Sequence, residues 1–168
     1  MKRRTKEELA TLYNARDIQE LWYECRKYPV IKHPKLGWIS PHDLRAICAG
    51  KPCPFCGKKM VQGQEIYATK SKEEAIIRGY QYVDKEGQKR INYIKTSGTY
   101  FHPNYVSLDH IINKARCPEM LFDYDNLQGI CFRCNSEKGD DNNYEAKKDL
   151  DFIKSMAAEA LKRYTDND

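Results

Sequence analysis

Nowhere in the 168 residues is there an apolar run long enough to cross a bilayer, an internal repeat or a low-complexity linker. Those absences exclude a helical membrane span, a solenoid and a string of tethered modules. Glycine and proline are sparse, at 9 and 7, while 40% of residues are hydrophobic and 32% charged, which excludes a chain disordered by composition. The length suits one compact domain better than two. The opening "MKRRTKEELA" has basic residues but no apolar stretch behind them, so it reads as neither a secretory signal nor an anchor. The expectation is a reducing, cytoplasmic setting. Seven cysteines, an odd number, are poorly explained there as disulfides, so paired motifs are read first as metal ligands.

What is present is unevenly placed. Residues 1–60 hold 13 Lys/Arg against 6 Asp/Glu, whereas residues 109–142 hold 4 against 7, around a net charge of +5. A basic front and an acidic later segment suit a protein that grips a polyanion with one part and binds a cation with another.

Thr5 and Glu8 have capping-box spacing, and Leu9, Leu12, Tyr13, Leu21 and Trp22 recur at roughly helical spacing, which predicts one helix or a broken pair over 6–27. "SPHDLRAICAG" offers Ser40 as N-cap, Pro41 at the first helical position, Asp43 in the first turn and Gly50 after the end. Cys25 and Cys48 fall within these helices and read as packing residues. "YQYVDKEGQKRINYIK" alternates around "DKEG", predicting a hairpin over roughly 79–95. "YVSLDHI" and "LQGIC" have strand length. A closing amphipathic helix is expected from Tyr144 to Tyr164, with Leu150, Ile153, Ala157, Ala160 and Leu161 in its stripe.

"CPFC" and "CFRC" supply Cys53, Cys56, Cys131 and Cys134. Two such hooks suit a tetrahedral zinc, because a two-residue gap lets both sulfurs of a tight turn face one ion. Four thiolates around a dication leave about two negative charges, which Lys51, Lys58, Lys59 and Arg133 can offset. The rival reading is a glutaredoxin-like redox motif at "CPFC". No strand-helix-strand pattern surrounds it, and it leaves the second hook unused. With 74 residues between the hooks, zinc would stitch the middle of the chain to its later part and serve folding rather than chemistry. Cys117 in "NKARCPEM" reads as a loop or packing cysteine.

Between and beside the hooks stand Asp109 and His110 at the end of a short apolar strand, Asn126 before the next strand, and Asn135 directly after the second hook. The ordered set "LDHII…DNLQGICFRCNSEKGD" resembles the HNH endonuclease family, over about 35 residues, or about 85 with the first hook. The resemblance implies a ββα-metal finger as the nuclease core; together with the elements read above, the expected fold is α+β, with a zinc staple, a helical, basic N-terminal region over 1–50, a nuclease core over 51–142 with a hairpin insertion at about 60–104, and the C-terminal helix over 143–168, the first 50 residues and the insertion carrying no family resemblance. The resemblance also implies hydrolysis of double-stranded DNA to a 5′-phosphate with a catalytic divalent cation.

The chemistry explains the residue types. Phosphodiester hydrolysis needs a base to take a proton from water and positive charge for the developing oxyanion. His110 is the expected base, and Asp109 with Asn135 offers the hard oxygen donors that Mg²⁺ or Mn²⁺ prefers. Successive strand residues face opposite ways, so Asp109 and His110 can converge only if the strand ends or twists there, as the resemblance implies. The resemblance also has Asn135 face Asp109 across the finger and has Asn126 bond loop backbone, holding His110 in aim. Lys138, one turn after Asn135, is a candidate phosphate contact.

Plainer readings stand beside these: Asn126 as a turn residue, and Lys138 as a helix-end residue capped by Gly139. His33, His42 and His102 lack ordered partners and read as ordinary histidines. The sequence departs from the family pattern where Asn135 stands in place of the frequent histidine, which favours Mg²⁺ or Mn²⁺ over softer ions. It departs again in the 52 residues between Cys56 and Asp109. Lys85, Lys89, Arg90 and Lys95 in that insertion are candidate contacts to nucleic acid. A second function class is a non-catalytic, zinc-stapled nucleic-acid-binding module, although it gives no reason for Asp109, His110 and Asn135 to fall together.

Overall fold

Ser40 starts the helix that supports the centre of the molecule. Its hydroxyl accepts from the Asp43 amide at 3.0 Å, and the Asp43 carboxylate accepts from the Ser40 amide at 3.0 Å, so two orphan donors at the helix start are satisfied reciprocally. In the computed structural model, which describes residues 15–114, 117–139 and 144–165, this helix follows α1 (Ala15–Glu24), a 3-10 turn (Cys25–Lys27) and the hairpin of β1 (Ile31–His33) and β2 (Gly37–Ile39). It is α2, Pro41–Cys48. The Thr5–Glu8 capping box lies outside the described residues.

An insertion follows: α3 (Gln64–Tyr67), β3 (Ala68–Thr69), α4 (Lys72–Ile77), β4 (Tyr82–Val83), β5 (Lys89–Arg90), β6 (Asn92–Ile94) and β7 (Thr99–Phe101). The hairpin there is shorter than the alternation suggests. Only Tyr82–Val83 and Lys89–Arg90 pair, while Asn92–Ile94 leaves the hairpin to pair with β7 in the sheet β3-β7-β6. Alternation fixes which residues face together, but it does not name the partner strand. Ser136 and Tyr82 donate to Asn92 Oδ1 at 3.0 and 2.9 Å, and Arg133 donates to the Val83 carbonyl at 3.3 Å, docking the insertion on the last helix of the finger.

That finger is β8 (Val106–His110), β9 (Leu127–Cys131) and α5 (Phe132–Lys138). The two strands pair antiparallel from Val106↔Cys131 to His110↔Leu127, a ββα arrangement within an α+β fold. Directly opposite residues share a face, so Asp109 sits beside Gln128 and Leu108 beside Gly129. One core cluster joins Cys53, Met60, Val106, Ile130, Cys131 and Cys134. Another joins Ile31, Ile39, Leu44 and Leu127, with Trp22, Leu108 and Phe122 packed against it. Gly129 lets α2 approach β9, since a Cβ there would lie 2.5 Å from both Cβ and Sγ of Cys48.

Helix α6 spans Tyr144–Thr165. It is helical, but its side chains from Ile153 to Arg163 are exposed, including Ile153, Met156 and Leu161, so that part of the stripe does not close the fold. Among the described residues no helix is long and apolar enough to cross a membrane.

Candidate active site and metal centre

The two cysteine hooks meet. The Sγ atoms of Cys53, Cys56, Cys131 and Cys134 all lie within 4.8 Å of one another, three of the residues buried and Cys56 exposed. Cys56 Sγ and Cys131 Sγ are 3.7 Å apart, close to the ~3.8 Å edge of a tetrahedron built on Zn–S bonds of about 2.3 Å. Local structure aims them. In the first hook the Cys53 amide donates to Lys58 O and the Gly57 amide to Cys53 O, both at 2.8 Å, closing a turn that Gly57 completes at φ 73°. In the second, Cys131 caps α5, its sulfur accepting from the Cys134 amide at 3.4 Å. Hydrogen bonding from Cys134 pulls the Cys131 thiol down to about 5, and the same pairing pushes the Cys134 thiol up. Burial raises the Cys56 thiol. The set is all sulfur, closed, and suited to zinc.

A second centre lies at the far end of β8. Asp109, His110, Asn135 and Lys138 line one cavity of about 200 Å³, together with Leu108, Asn113, Lys114 and Gly139. Asp109 is buried and accepts through Oδ2 from Gln128 Nε2 at 2.9 Å and from the Lys138 ammonium. Lys138 also donates to the His110 carbonyl at 2.9 Å. Asn135 Nδ2 donates to Ser107 Oγ at 3.0 Å, which fixes the amide plane and directs Oδ1 elsewhere. Hard oxygen donors around one small polar space suit a hard dication.

His110 is buried, with Nε2 3.0 Å from the Leu121 carbonyl. A carbonyl can only accept, so Nε2 carries the proton and Nδ1 keeps its lone pair. The ring meets Trp22 edge-on at 4.6 Å. Burial, opposed by the Leu121 bond, pulls its pKa down to about 4, so the imidazole is neutral at pH 7.

Asn126, 1% exposed, stands outside the cavity. Its Oδ1 accepts from the Ile112 amide at 2.8 Å, and its Nδ2 donates to Ile112 O at 3.1 Å and Met120 O at 3.4 Å. It therefore joins the two ends of the loop that also carries Leu121. Cys117 is buried at the start of the 3-10 turn Pro118–Met120. Sequence reasoning passed over Gln128, Ser107 and Trp22. The hairpin register would have found Gln128, which pairs directly with Asp109, but no local signal places Trp22 under His110. In the insertion, Arg90 is bonded to Asp84 at 2.8 Å, while Lys85, Lys89 and Lys95 are exposed.

Residues 97–141 match the family model of the HNH endonucleases. The matched segment contains β7, the whole ββα finger and the second cysteine hook, so this part of the chain is similar to the HNH endonucleases. No match is found among curated proteins or among solved structures.

Proposed function

We propose that this protein is a metal-dependent HNH endonuclease that hydrolyses phosphodiester bonds in double-stranded DNA, in a reducing cytoplasm, leaving a 5′-phosphate. The observation that carries the reading is the convergence of Asp109, His110, Asn135 and Lys138 on one cavity of a ββα finger.

His110 is the general base. The bond to Leu121 fixes its tautomer, and Nδ1 takes the proton of the attacking water. Its low pKa keeps it in the accepting form across neutral pH. Asn126 positions it indirectly, by holding the loop that carries the Leu121 carbonyl. Asp109 and Asn135 would hold Mg²⁺ or Mn²⁺, which when bound would supply Lewis-acid stabilisation of the phosphoryl oxygens. Lys138 is bonded to Asp109, so a metal held by Asp109 would compete with the ammonium for that carboxylate, and Lys138 would then be free to contact a phosphate oxygen. Cys53, Cys56, Cys131 and Cys134 hold a structural zinc that ties the first hook to the start of α5.

The test is supercoiled plasmid DNA across a metal series. Mg²⁺ or Mn²⁺ supports nicking, His110→Ala abolishes it, and bound zinc stays at one equivalent in both proteins. Undiminished cleavage by purified His110→Ala, or under strong chelation, sinks the proposal. A second reading, a zinc-stapled binding module without catalysis, draws support from the Lys138–Asp109 pair, which already neutralises the carboxylate. Tight DNA binding with no cleavage in any divalent metal selects it.

A further inference from the structure

A cleft of about 640 Å³, separate from the Asp109 cavity, lies between the 3-10 turn Cys25–Lys27, the start of α2 and the segment leading into α3. Its side chains are cationic or neutral donors: Arg26, Lys27, His42, Arg45, Gln62 and Gln64. Among the described residues that line it there is no carboxylate. Three acids lie close in sequence, Asp43 beside His42, Glu65 beside Gln64 and Glu24 two residues before Arg26, and of these Asp43 is engaged by Ser40 through the capping box, with Ser40 Oγ donating to it at 2.7 Å.

Arg45 is the unusual member. Its Nε is shut off from solvent, yet it is a donor with no hydrogen-bond partner. A buried N–H without an acceptor costs about 1–3 kcal/mol, and such groups are rare enough that each calls for an acceptor. A cleft anion does not reach a nitrogen closed to solvent, but it would offset the positive charge of the partly buried guanidinium that lines the cleft. Burial also lowers the Arg45 pKa from its usual value, the response of a cation with too little negative charge around it. Arg26 is held in place on the same wall, its Nη1 donating to Tyr23 O at 2.9 Å and its guanidinium lying 4.0 Å over the Tyr23 ring. Planar, preorganised guanidinium groups with amide donors beside them match the oxygens of a phosphate.

The cleft also has a fixed relation to the finger. Tyr105, on its wall, precedes Val106 at the start of β8, and Asp109 lies four residues on along that strand. At ~3.3 Å per residue that separation is ~13 Å along the strand, a span of a few nucleotides on one nucleic-acid strand.

We propose that this cleft is a second, non-catalytic phosphodiester site that grips the backbone of the nucleic acid a few nucleotides from the bond presented to Asp109 and His110. The identity of the polyanion rests on the nuclease reading, whereas the anion site rests on the cationic lining of the cleft and the partly buried Arg45 within it. Phosphate contacts set register and orientation without reading bases, so the site positions substrate and adds affinity without sequence preference.

The experiment uses the full chain carrying His110→Ala, which prevents cleavage, and measures binding to a 30-base-pair duplex by fluorescence anisotropy over a salt series. Arg45→Gln and the double variant Arg26→Gln/Lys27→Gln are compared with that parent. Each neutralised contact is expected to weaken binding several-fold, equally on unrelated sequences, and to reduce the salt slope by about 1. Zinc content and Mn²⁺ affinity stay unchanged. Arg26 and Lys27 stand outside the core, so the double variant remains decisive where Arg45→Gln fails to fold. Parental affinity and salt slope in the folded variants overturn the site. A parent that binds no nucleic acid overturns the nuclease reading instead. The cleft is then judged by inorganic phosphate, and the absence of an Arg45-dependent thermal shift overturns it. Phosphate binding that depends on Arg45 alongside duplex binding that does not identifies a free-anion site and overturns the backbone role.

Discussion

Lys138 donates its ammonium to the carboxylate of Asp109, and both side chains are buried, 5% and 7% exposed. The strand therefore presents its expected metal ligand already matched with a cation from the finger helix. Removing one member of such a pair leaves an uncompensated charge, which costs far more than the pair contributes when intact.

Lys138→Met should accordingly destabilise the protein in magnesium-free buffer by about 3–5 kcal/mol. Mn²⁺ should recover much of that loss, and its affinity should rise about tenfold over wild type, equivalent to ~1.4 kcal/mol. Thermal melts and calorimetric titration with MnCl₂ read both effects. If the variant's melting temperature responds to Mn²⁺ no more than wild type does, Lys138 and the metal do not compete for Asp109.

Asn126→Ala should strip three backbone groups of their partner, since Asn126 serves the amide and carbonyl of Ile112 and the carbonyl of Met120. The expected loss is about 2–4 kcal/mol, from unsatisfied buried groups at ~1–3 kcal/mol each, partly rescued by water. Nicking should fall with zinc retained. Hydrogen exchange should show the Ile112 amide, and not the Cys53 or Cys134 amides, losing protection; uniform loss across all three would contradict a local role.

Gly129→Ala should cost about 1–3 kcal/mol by overpacking, because the added methyl would stand 2.5 Å from Cys48. Adding Cys48→Ala should recover only part of it, since the Cβ of residue 48 is itself 2.5 Å away. Full recovery in urea melts would place the clash on sulfur alone.

The pH dependence of stability follows from His110. Its folded pKa, about 4, lies below the ordinary value of 6.5. The unfolded chain therefore binds the extra proton first as pH falls. The stabilisation is complete above about pH 6.5 and is lost progressively down to about pH 4, reaching about 3 kcal/mol at ~1.36 kcal/mol per unit. His110→Gln should flatten this window in urea melts between pH 7 and 4.5 in magnesium-free buffer. An unchanged slope would assign the acid sensitivity to other groups.

Local sequence determined the elements that depend on neighbours in the chain. Ser40, Pro41 and Asp43 dictate the start of α2, since a cap needs only residues three apart. The strand-length runs "VSLDH" and "LQGIC" point to two strands, and paired cysteines at fixed gaps announce a common cluster. The order of Asp109, His110, Asn126 and Asn135 was visible because the finger is nearly contiguous. Tertiary structure alone decided that Asn92–Ile94 leaves its hairpin for β7, that Lys138 lies on Asp109 rather than facing solvent, and that Trp22, 88 positions before His110, closes over the imidazole. It alone left Arg45 with a buried donor beside an open cleft. These outcomes turn on which distant surfaces meet and on how much water each contact excludes, and neither quantity is encoded in the spacing of residues along one segment.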